Sequence, residues 1–518
     1  MKTAIVWFRK SIRLHDNLAL ARACNSNHVD RILPIFILDN NLLGNKYEKY
    51  GINRLKFLTE CILDLDCQLK QKYGSKLTLL RGDPTEIFDD LITNKELGAT
   101  EAYIDYCSEP YGREINEKLK KNCIEKIQTF EIIEAANTLL NLEEIVKSSY
   151  YKEPKSMREI EKLFLNALGK NDDGFYVIDE PIPEPRGIKP PPVVKENLSK
   201  YRLELGEFIE DIEKELGLTM DTIDSYFSGG ETEALKRLRL KISNEVRFVR
   251  NFRKPKTIST NMSENPREPQ TTGLSPYIST GCLSVRVLWK ECQIIYLGSD
   301  YTKPPESLHG QLLFREMFYL LSRSVSNWDS DSDNIMCKTI EWGEYDKEKM
   351  DAWESGSTGF PYIDAMMRQL DKTGWIHHLG RHAVSCFLTR GQLWQNWTYG
   401  RDVFERKLLD SDWALNNANW LWLSGVAPFS MPYFRLYSPC PDSKSSLNVE
   451  TKEAKFIKYW IPELENFPVK YIFEPHLAPV SLQKKANCII GEDYPEPIVD
   501  RKESAKINLL KFKNSLSN

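Results

Sequence analysis

RILPIFIL, residues 31–38, packs six aliphatic or aromatic side chains and a proline behind a single arginine. Its length suits a strand better than a helix, and the lack of alternation suits a strand covered on both faces. Runs of the same character lie on either side of it: TAIVWF at 3–8, KLTLLRG at 76–82, AYIDY at 102–106 and FEII at 130–133. Longer amphipathic stretches separate them, such as NRLKFLTECILDLDCQL at 53–69. Five short apolar strands alternating with helices predict an α/β domain built on a doubly wound, parallel five-stranded sheet. Neither GxGxxG nor GxxxxGK occurs in it, so no ordinary nucleotide-phosphate loop is visible and a purely structural layer stays open.

Beyond this layer the pattern changes. VIDEPIPEPRGIKPPPVVKEN, residues 177–197, is Pro-rich and without helical period, and reads as an extended linker over the surface. From FSGGETEALKRLRLKISNEV, residues 227–246, onward the chain reads as helical, with acidic first and basic later turns that suit the helix dipole. The expected organisation is therefore an α/β domain at 1–140, a linker at 141–205, a larger all-α domain at 206–505 and a short tail at 506–518. Composition agrees with a multidomain soluble protein: 518 residues, 41% hydrophobic, 28% charged. The apolar runs fall short of the ~20 residues that cross a bilayer, so no membrane is expected. Eleven scattered cysteines without a CxxC pair suggest free thiols in a reducing compartment. A net charge of −4 excludes a molecule that is basic throughout, but allows a basic patch on one face.

Chemistry concentrates between Gly374 and Trp422. Three of the seven histidines, His377, His378 and His382, fall within six residues in GWIHHLGRHAVSCFLTRG. On a helix His378 and His382 share a face, with Trp375 one turn earlier. Such imidazoles can divide acid and base roles near neutral pH. HxxxH is also a zinc-ligand spacing, although the glutamate of HExxH is missing, and satisfied core histidines are the plain alternative. Arg381 lies in the same segment, while Asp410 and Asp412 lie in LLDSDWALNN. A buried Arg–Asp pair is expensive unless it positions something, and Asp412 doubles as an ordinary N-cap for WALNN. Trp342, Trp394, Trp397 and Trp420 read first as core aromatics, and their concentration around this stretch keeps an electron-transfer role open. TTGLSPYISTGCLS, residues 271–284, offers hydroxyls and backbone N–H groups suited to phosphates, or simply a capped loop.

Taken together, these pieces resemble the photolyase/cryptochrome flavoprotein family over nearly the whole chain. IVWFRKSIRLHDN, SGGETEAL, TTGLSPYISTGCLS, GQLLFRE, the His-rich segment and DSDWALNNANWLW appear in family order. The resemblance implies an amino-terminal antenna-type domain, with an antenna chromophore that no motif identifies, and a helical domain holding FAD. It places Thr271, Thr272, Leu274 and Ser275 at the FAD phosphates and ribityl chain, and Gln311 and Arg315 in the pocket lining. Arg381 would pair with Asp410 beside the isoalloxazine, Asp412 would meet the flavin, and Asn416 would face N5. Trp420, Trp397 and Trp342 stand where the family has its reducing chain, and Trp394 where animal-like members have a fourth link.

Within the family, His378, His382 and Gln311 are similar to the (6-4) photolyase pattern; bacterial cyclobutane-dimer enzymes carry Asn, Met and Glu there. Asn416 and PYFRLYSP at 432–439 point the same way. The resemblance thus implies light-driven repair of (6-4) photoproducts in UV-damaged DNA, with His378 as proton donor and His382 tuning it, or the reverse. The alternative is a blue-light receptor of cryptochrome type with a signalling partner. A monomer working in the nucleus is expected, although KRLRLK at 236–241 is a mixed basic run rather than a clear import signal. Three departures stand out: Gly380 for the usual Ala, the divergent run SGVAPFSMPYF at 424–434, and an apparent insertion, NMSENPREPQ, at 261–270.

Overall fold

A computed structural model describes residues 1–43, 49–192, 200–217, 219–260, 265 and 267–517. Residues 193–199 of the expected linker, and 261–264 and 266 of the expected insertion, lie outside the described residues. The chain forms two compact units. One comprises Met1–Ile223, Phe227–Phe252 and Leu274–Ser324, and the other Asp224–Tyr226, Arg253–Gly273 and Val325–Asn518.

In the first unit, β1 (Thr3–Trp7), β2 (Arg31–Leu38), β3 (Thr78–Arg81), β4 (Ala99–Asp105) and β5 (Thr129–Ile133) form one sheet in the order β3-β2-β1-β4-β5. Every pairing is parallel, as the unalternating apolar runs require. Pro34 fits inside β2 without loss. Ile35 turns its carbonyl to Phe8 N–H of the β1 side at 3.0 Å, so Pro34 faces the opposite side, where β3 begins only opposite Ile35. Helices α1 (Leu18–Asn25), α2 (Ile52–Tyr73), α3 (Pro84–Thr93) and α4 (Pro110–Cys123) connect the strands. α2 stops at Gly74, which adopts φ 60° and donates to Leu69 and Lys70 carbonyls. α3 starts at Asp83, whose side chain accepts from Thr85 and Glu86 N–H with Pro84 following. Ile5, Leu33, Ile35, Leu80, Ile87 and Ile104 make the centre of one core cluster.

The strand order reverses at β1 and β4, the place where sheets of this kind open a ligand crevice. Here Asp105 at the end of β4 occupies the loop after β1. Its Oδ2 accepts from the N–H groups of Arg9 (3.3 Å), Lys10 (2.9 Å) and Ser11 (2.9 Å). An anion-binding nest of successive amides is thus filled by the protein's own carboxylate.

The boundaries expected at 140 and 205 differ from these units. The linker expected at 141–205 contains helix α5 (Met157–Leu168), and its Pro-rich part is pinned to the sheet unit. Ile182 O accepts from Asp16 N–H at 2.9 Å, and Pro190 O from Ile32 N–H at 3.3 Å. Arg81 N–H donates to Tyr201 O at 2.7 Å, so the segment's end covers the β3 edge. Helices α6 (Glu231–Leu238), α7 (Ser275–Thr280), α8 (Val285–Tyr296) and α9 (Leu308–Ser324) also belong to this unit. The reason lies in IVWFRKSIRLHDN. Glu231 of α6 accepts from Leu14 N–H (2.7 Å) and His15 N–H (2.9 Å) and bonds the His15 ring. Asp16 pairs with Arg286 of α8 at 2.6 Å, both nearly fully buried. Gly281 has φ +74°, and a Cβ there would lie 1.9 Å from Lys10 O. Arg237, in the middle of KRLRLK, is itself buried.

The second unit is helical: α10 (Lys347–Ser355), α11 (Pro361–Thr373), α12 (His378–Cys386), α13 (Trp397–Lys407), α14 (Trp413–Leu423), α15 (Lys455–Trp460) and α16 (Arg501–Ser515) are its main elements. The expected tail at 506–518 instead falls largely in α16. Phe512 is fully buried, and Asn508 donates to Gly391 and Gln392 carbonyls, both at 3.1 Å. No helix among the described residues is long and apolar enough to cross a membrane.

Candidate functional site

The histidine cluster is made by a helix start. Gly374, at φ +67°, closes α11, and α12 begins only at His378. Trp375 therefore precedes the helix rather than sharing its face, which corrects the expectation drawn from spacing. His377 is the N-cap: its Nδ1 accepts from Leu379 N–H at 3.1 Å. That bond leaves the neutral ring's hydrogen on Nε2, which is buried with no hydrogen-bond partner among the described residues. His378 stacks obliquely on His377 with ring centroids 4.2 Å apart, and its Nε2 is likewise buried and unpartnered. His382 stands edge-on to His378 at 6.1 Å and to Trp422 at 5.1 Å.

Two residues that were not singled out from the sequence complete the cluster. Tyr437 places its hydroxyl 2.8 Å from His382 Nδ1 and 3.2 Å from Met431 Sδ. Lys254 holds its ammonium 5.4 Å above the Trp422 ring. Tyr437 belongs to PYFRLYSP, quoted above as a motif without a role for each member. Lys254 carried only the signal of a basic run, KPK. Burial, followed by the positive charges of Arg381 and Lys254, holds His377 down to about 3. Burial and then Lys254, Arg390 and His377 hold His382 down to about 3. His378 is held well below its ordinary value by burial and then by His377, Lys254, His382 and Arg381. Lys254 itself is lowered to about 8, by burial and then by Arg381. The rings are thus neutral at neutral pH, and any proton they pass comes from an N–H or arrives with an anionic ligand.

Arg381 and Asp410 pair, Nη2 to Oδ2 at 2.8 Å, while Arg381 Nε donates to Ile376 O at 3.1 Å. Asp410 Oδ1 remains buried without a partner among the described residues. Asp412 is the N-cap of α14, accepting from Leu415 N–H at 3.2 Å. Asn416, on the first turns of α14, donates its amide to Arg401 O of α13 at 3.0 Å. Thr271 and Thr272 close a segment of this helical unit, whereas Leu274, Ser275, Gln311 and Arg315 belong to the sheet unit. Within that unit Leu274 is buried and Ser275 is exposed at the start of α7. Gln311 donates to Pro305 O at 3.0 Å, and Arg315 meets Glu316 at 3.3 Å and Tyr319 OH at 3.4 Å. Arg315 Nε and Glu316 Oε2 are both buried without a partner among the described residues, and burial lifts Glu316 to about 7 despite Arg315.

The tryptophans divide into an inner and an outer pair. Trp420 and Trp397 are fully buried. A Cβ on Gly400 would lie 2.1 Å from the Trp420 ring, so Trp420 rests against α13 where Trp397 sits one turn earlier. Trp342 and Trp394 meet at 4.9 Å between ring centroids. The zinc reading of HxxxH finds no third ligand: among the described residues no three His, Cys, Asp or Glu groups converge on a metal position.

Buried polar atoms without partners are rare and call for an explanation such as a ligand. Asp410 Oδ1 beside Arg381 is an acceptor suited to a ring N–H, and in the sheet unit Arg315 Nε is a donor suited to an anionic group. Taken singly, Asp410 Oδ1 fits the ring N–H and Arg315 Nε the anionic part of a flavin dinucleotide. Residues 4–185 match DNA photolyase, and residues 307–514 match the FAD-binding domain of DNA photolyase. The chain is 37% identical to the (6-4)DNA photolyase of Arabidopsis thaliana, over 97% of this chain and 86% of that protein. It is also 37% identical to Cryptochrome-1 of Sylvia borin, over 98% of this chain and 78% of that protein. The structure of a bacterial class III photolyase from Agrobacterium tumefaciens matches with a TM-score of 0.76 at 26% identity, covering 100% of this chain and 98% of that one. The chain belongs to the photolyase/cryptochrome family and binds FAD.

Proposed function

We propose that the protein repairs (6-4) photoproducts in DNA under light. The observation that carries this reading is the neutral, buried histidine cluster whose His378 Nε2 has no partner among the described residues. An imidazole held this way suits a polar substrate group brought out of a duplex, not a core contact. Bound FAD, reduced and excited by light, supplies the electron for such chemistry. Arg381 and Asp410 would hold the flavin's polar edge. His378 would hold a proton at Nε2 for the lesion, and the approach of DNA phosphates favours a protonated imidazole. His382, fixed through Nδ1 by Tyr437, would keep His378 oriented, and Lys254 would take the anionic charge near Trp422. Trp342, Trp394 and Trp397 would pass electrons inward to Trp420.

The test is light-dependent repair of an oligonucleotide carrying one (6-4) photoproduct. Restored thymines are expected from the wild type. His378→Ala should lose repair by at least about 10²-fold while keeping its FAD content, and full repair by that variant overturns the assignment. A second reading is a light-signalling cryptochrome, supported by the equal identity to Cryptochrome-1. An intact lesion with photoreducible FAD would favour it.

A further inference from the structure

The outer tryptophans lead somewhere that the tryptophan pattern does not name. Phe512 of α16 is fully buried and lies edge-on to Trp342 at 6.1 Å and to Trp394 at 6.4 Å. On its other side Phe512 is stacked on Tyr433, centroids 4.9 Å apart and planes 5° from parallel. A continuous path of aromatic contacts thus runs from the Trp342–Trp394 pair to a tyrosine of the PYFRLYSP segment.

Charge decides where an oxidising equivalent comes to rest on this path. Lys511 holds its ammonium 5.6 Å from the Trp394 ring centroid. A neutral indole is attracted to that cation, but a tryptophan radical cation is repelled by it. Tyrosine escapes the repulsion because oxidation releases its phenolic proton and leaves a neutral radical. Tyr433 is partly exposed and its hydroxyl has no hydrogen-bond partner among the described residues, so water can take that proton. Its backbone is held in place: the carbonyl accepts from Arg390 Nη1 at 2.7 Å.

We propose that Tyr433 is the terminal electron donor of the tryptophan chain, acting through Phe512. The inference rests on the reading of Trp420, Trp397, Trp342 and Trp394 as an electron-transfer chain. Photoexcited oxidised flavin is the one-electron oxidant that draws an electron from Trp420, and each tryptophan is then re-reduced by the next. In the last step Tyr433 is oxidised: its O–H bond breaks, the electron passes across Phe512 to the Trp342 or Trp394 radical cation, and the proton goes to water. The indole returns to its neutral form, and the charges are left further apart than tryptophan alone would hold them. The radical comes to rest one residue from the exposed Phe434 and four from Tyr437, the partner of His382.

The experiment is transient absorption and electron paramagnetic resonance on the FAD-loaded protein after a blue flash, without added reductant. The wild type should show a tryptophan radical that gives way to a neutral tyrosyl radical. Tyr433→Phe should lose the tyrosyl signal, retain the tryptophan radical and shorten the lifetime of charge separation. Phe512→Leu should lose the tyrosyl signal with Tyr433 in place, whereas Tyr399→Phe, in a tyrosine of α13 packed on Tyr345, should keep it. A tyrosyl signal unchanged in Tyr433→Phe overturns the proposal, as does a wild type that stops at tryptophan. Photoreduction that survives Trp420→Phe with no tryptophan radical would overturn the chain reading itself, a different failure.

Discussion

A methyl group on residue 380 would lie 2.5 Å from Sδ of Met366, a fully buried side chain of α11. Glycine within α12 forgoes about 1 kcal/mol of helix propensity relative to alanine, and the contact gives the reason. Gly380→Ala should therefore lower stability by about 1–3 kcal/mol through overpacking. Adding Met366→Val to make room should recover part of the loss. Urea titration of the three proteins decides this, and a Gly380→Ala chain more stable than the parent would sink the explanation. Lys254 is the opposite case, a residue whose cost to the fold points to use. Its folded-state value of about 8 lies below the ordinary 10.5, so the unfolded chain holds the proton more tightly. Stability is lost as pH falls from 10.5 through 8 and stays lost below. Lys254→Met should accordingly be more stable at pH 7, by about 1–3 kcal/mol given the partial exposure, with the gain shrinking above pH 8. It should also raise the titration points of His377, His378 and His382, readable by NMR, and lose repair.

At the scale of elements, IVWFRKSIRLHDN works as a clasp. Asp16 receives Arg286 and Ser284 from the start of α8, and Glu231 gathers Leu14 and His15 at the start of α6. Asp16→Ala leaves the Arg286 guanidinium buried without its anion, which should cost about 3–5 kcal/mol. A calorimetric scan showing less than a tenth of that loss would mean that water replaces the carboxylate. This clasp also marks the limit of what sequence reveals. The strands were legible because burial on both faces writes itself into local runs such as RILPIFIL. The helix start at His378 was half legible: Gly374 signals an α11 end, but a periodicity count over WIHHLGRH carries Trp375 into the next helix. The Asp16–Arg286 pair spans 270 residues, and no local pattern records that distance. The same holds for Tyr437 and Lys254, which reach the histidines from segments far apart in the chain. Arg381–Asp410 was placed only by resemblance, since nothing in the spacing of 381 and 410 brings α12 and the turn after α13 together.

For the molecule as a whole, a net charge of −4 stands against a polyanionic duplex, so binding to DNA depends on where the cations lie. Two segments flank the histidine cluster. Lys254 lies over Trp422, which contacts His382, and Lys256 two residues on is exposed. From another direction Tyr437 bonds His382, and Arg435 two residues earlier is exposed. Arg390 ties the second segment down through the carbonyls of Tyr433 and Arg435, at 2.7 and 2.9 Å. Asn448 steadies the first through Pro255 O at 2.8 Å and Thr257 O at 2.9 Å. On the proposed reading, these exposed cations would neutralise phosphates beside an extruded nucleotide, and each such contact releases counterions on binding. Affinity for lesion-bearing duplex should therefore fall linearly on a log–log plot against salt. Lys256→Ala and Arg435→Ala should each reduce the slope by about 1. On the proposed reading, undamaged duplex should lose binding at lower salt than lesion-bearing duplex, because the overall negative charge opposes it while a flipped lesion would add contacts at His378 that salt does not screen. Fluorescence anisotropy at five or more salt concentrations measures both slopes. Equal slopes for the parent and the two variants would place the DNA elsewhere on the surface, and with it the substrate of the histidine cluster.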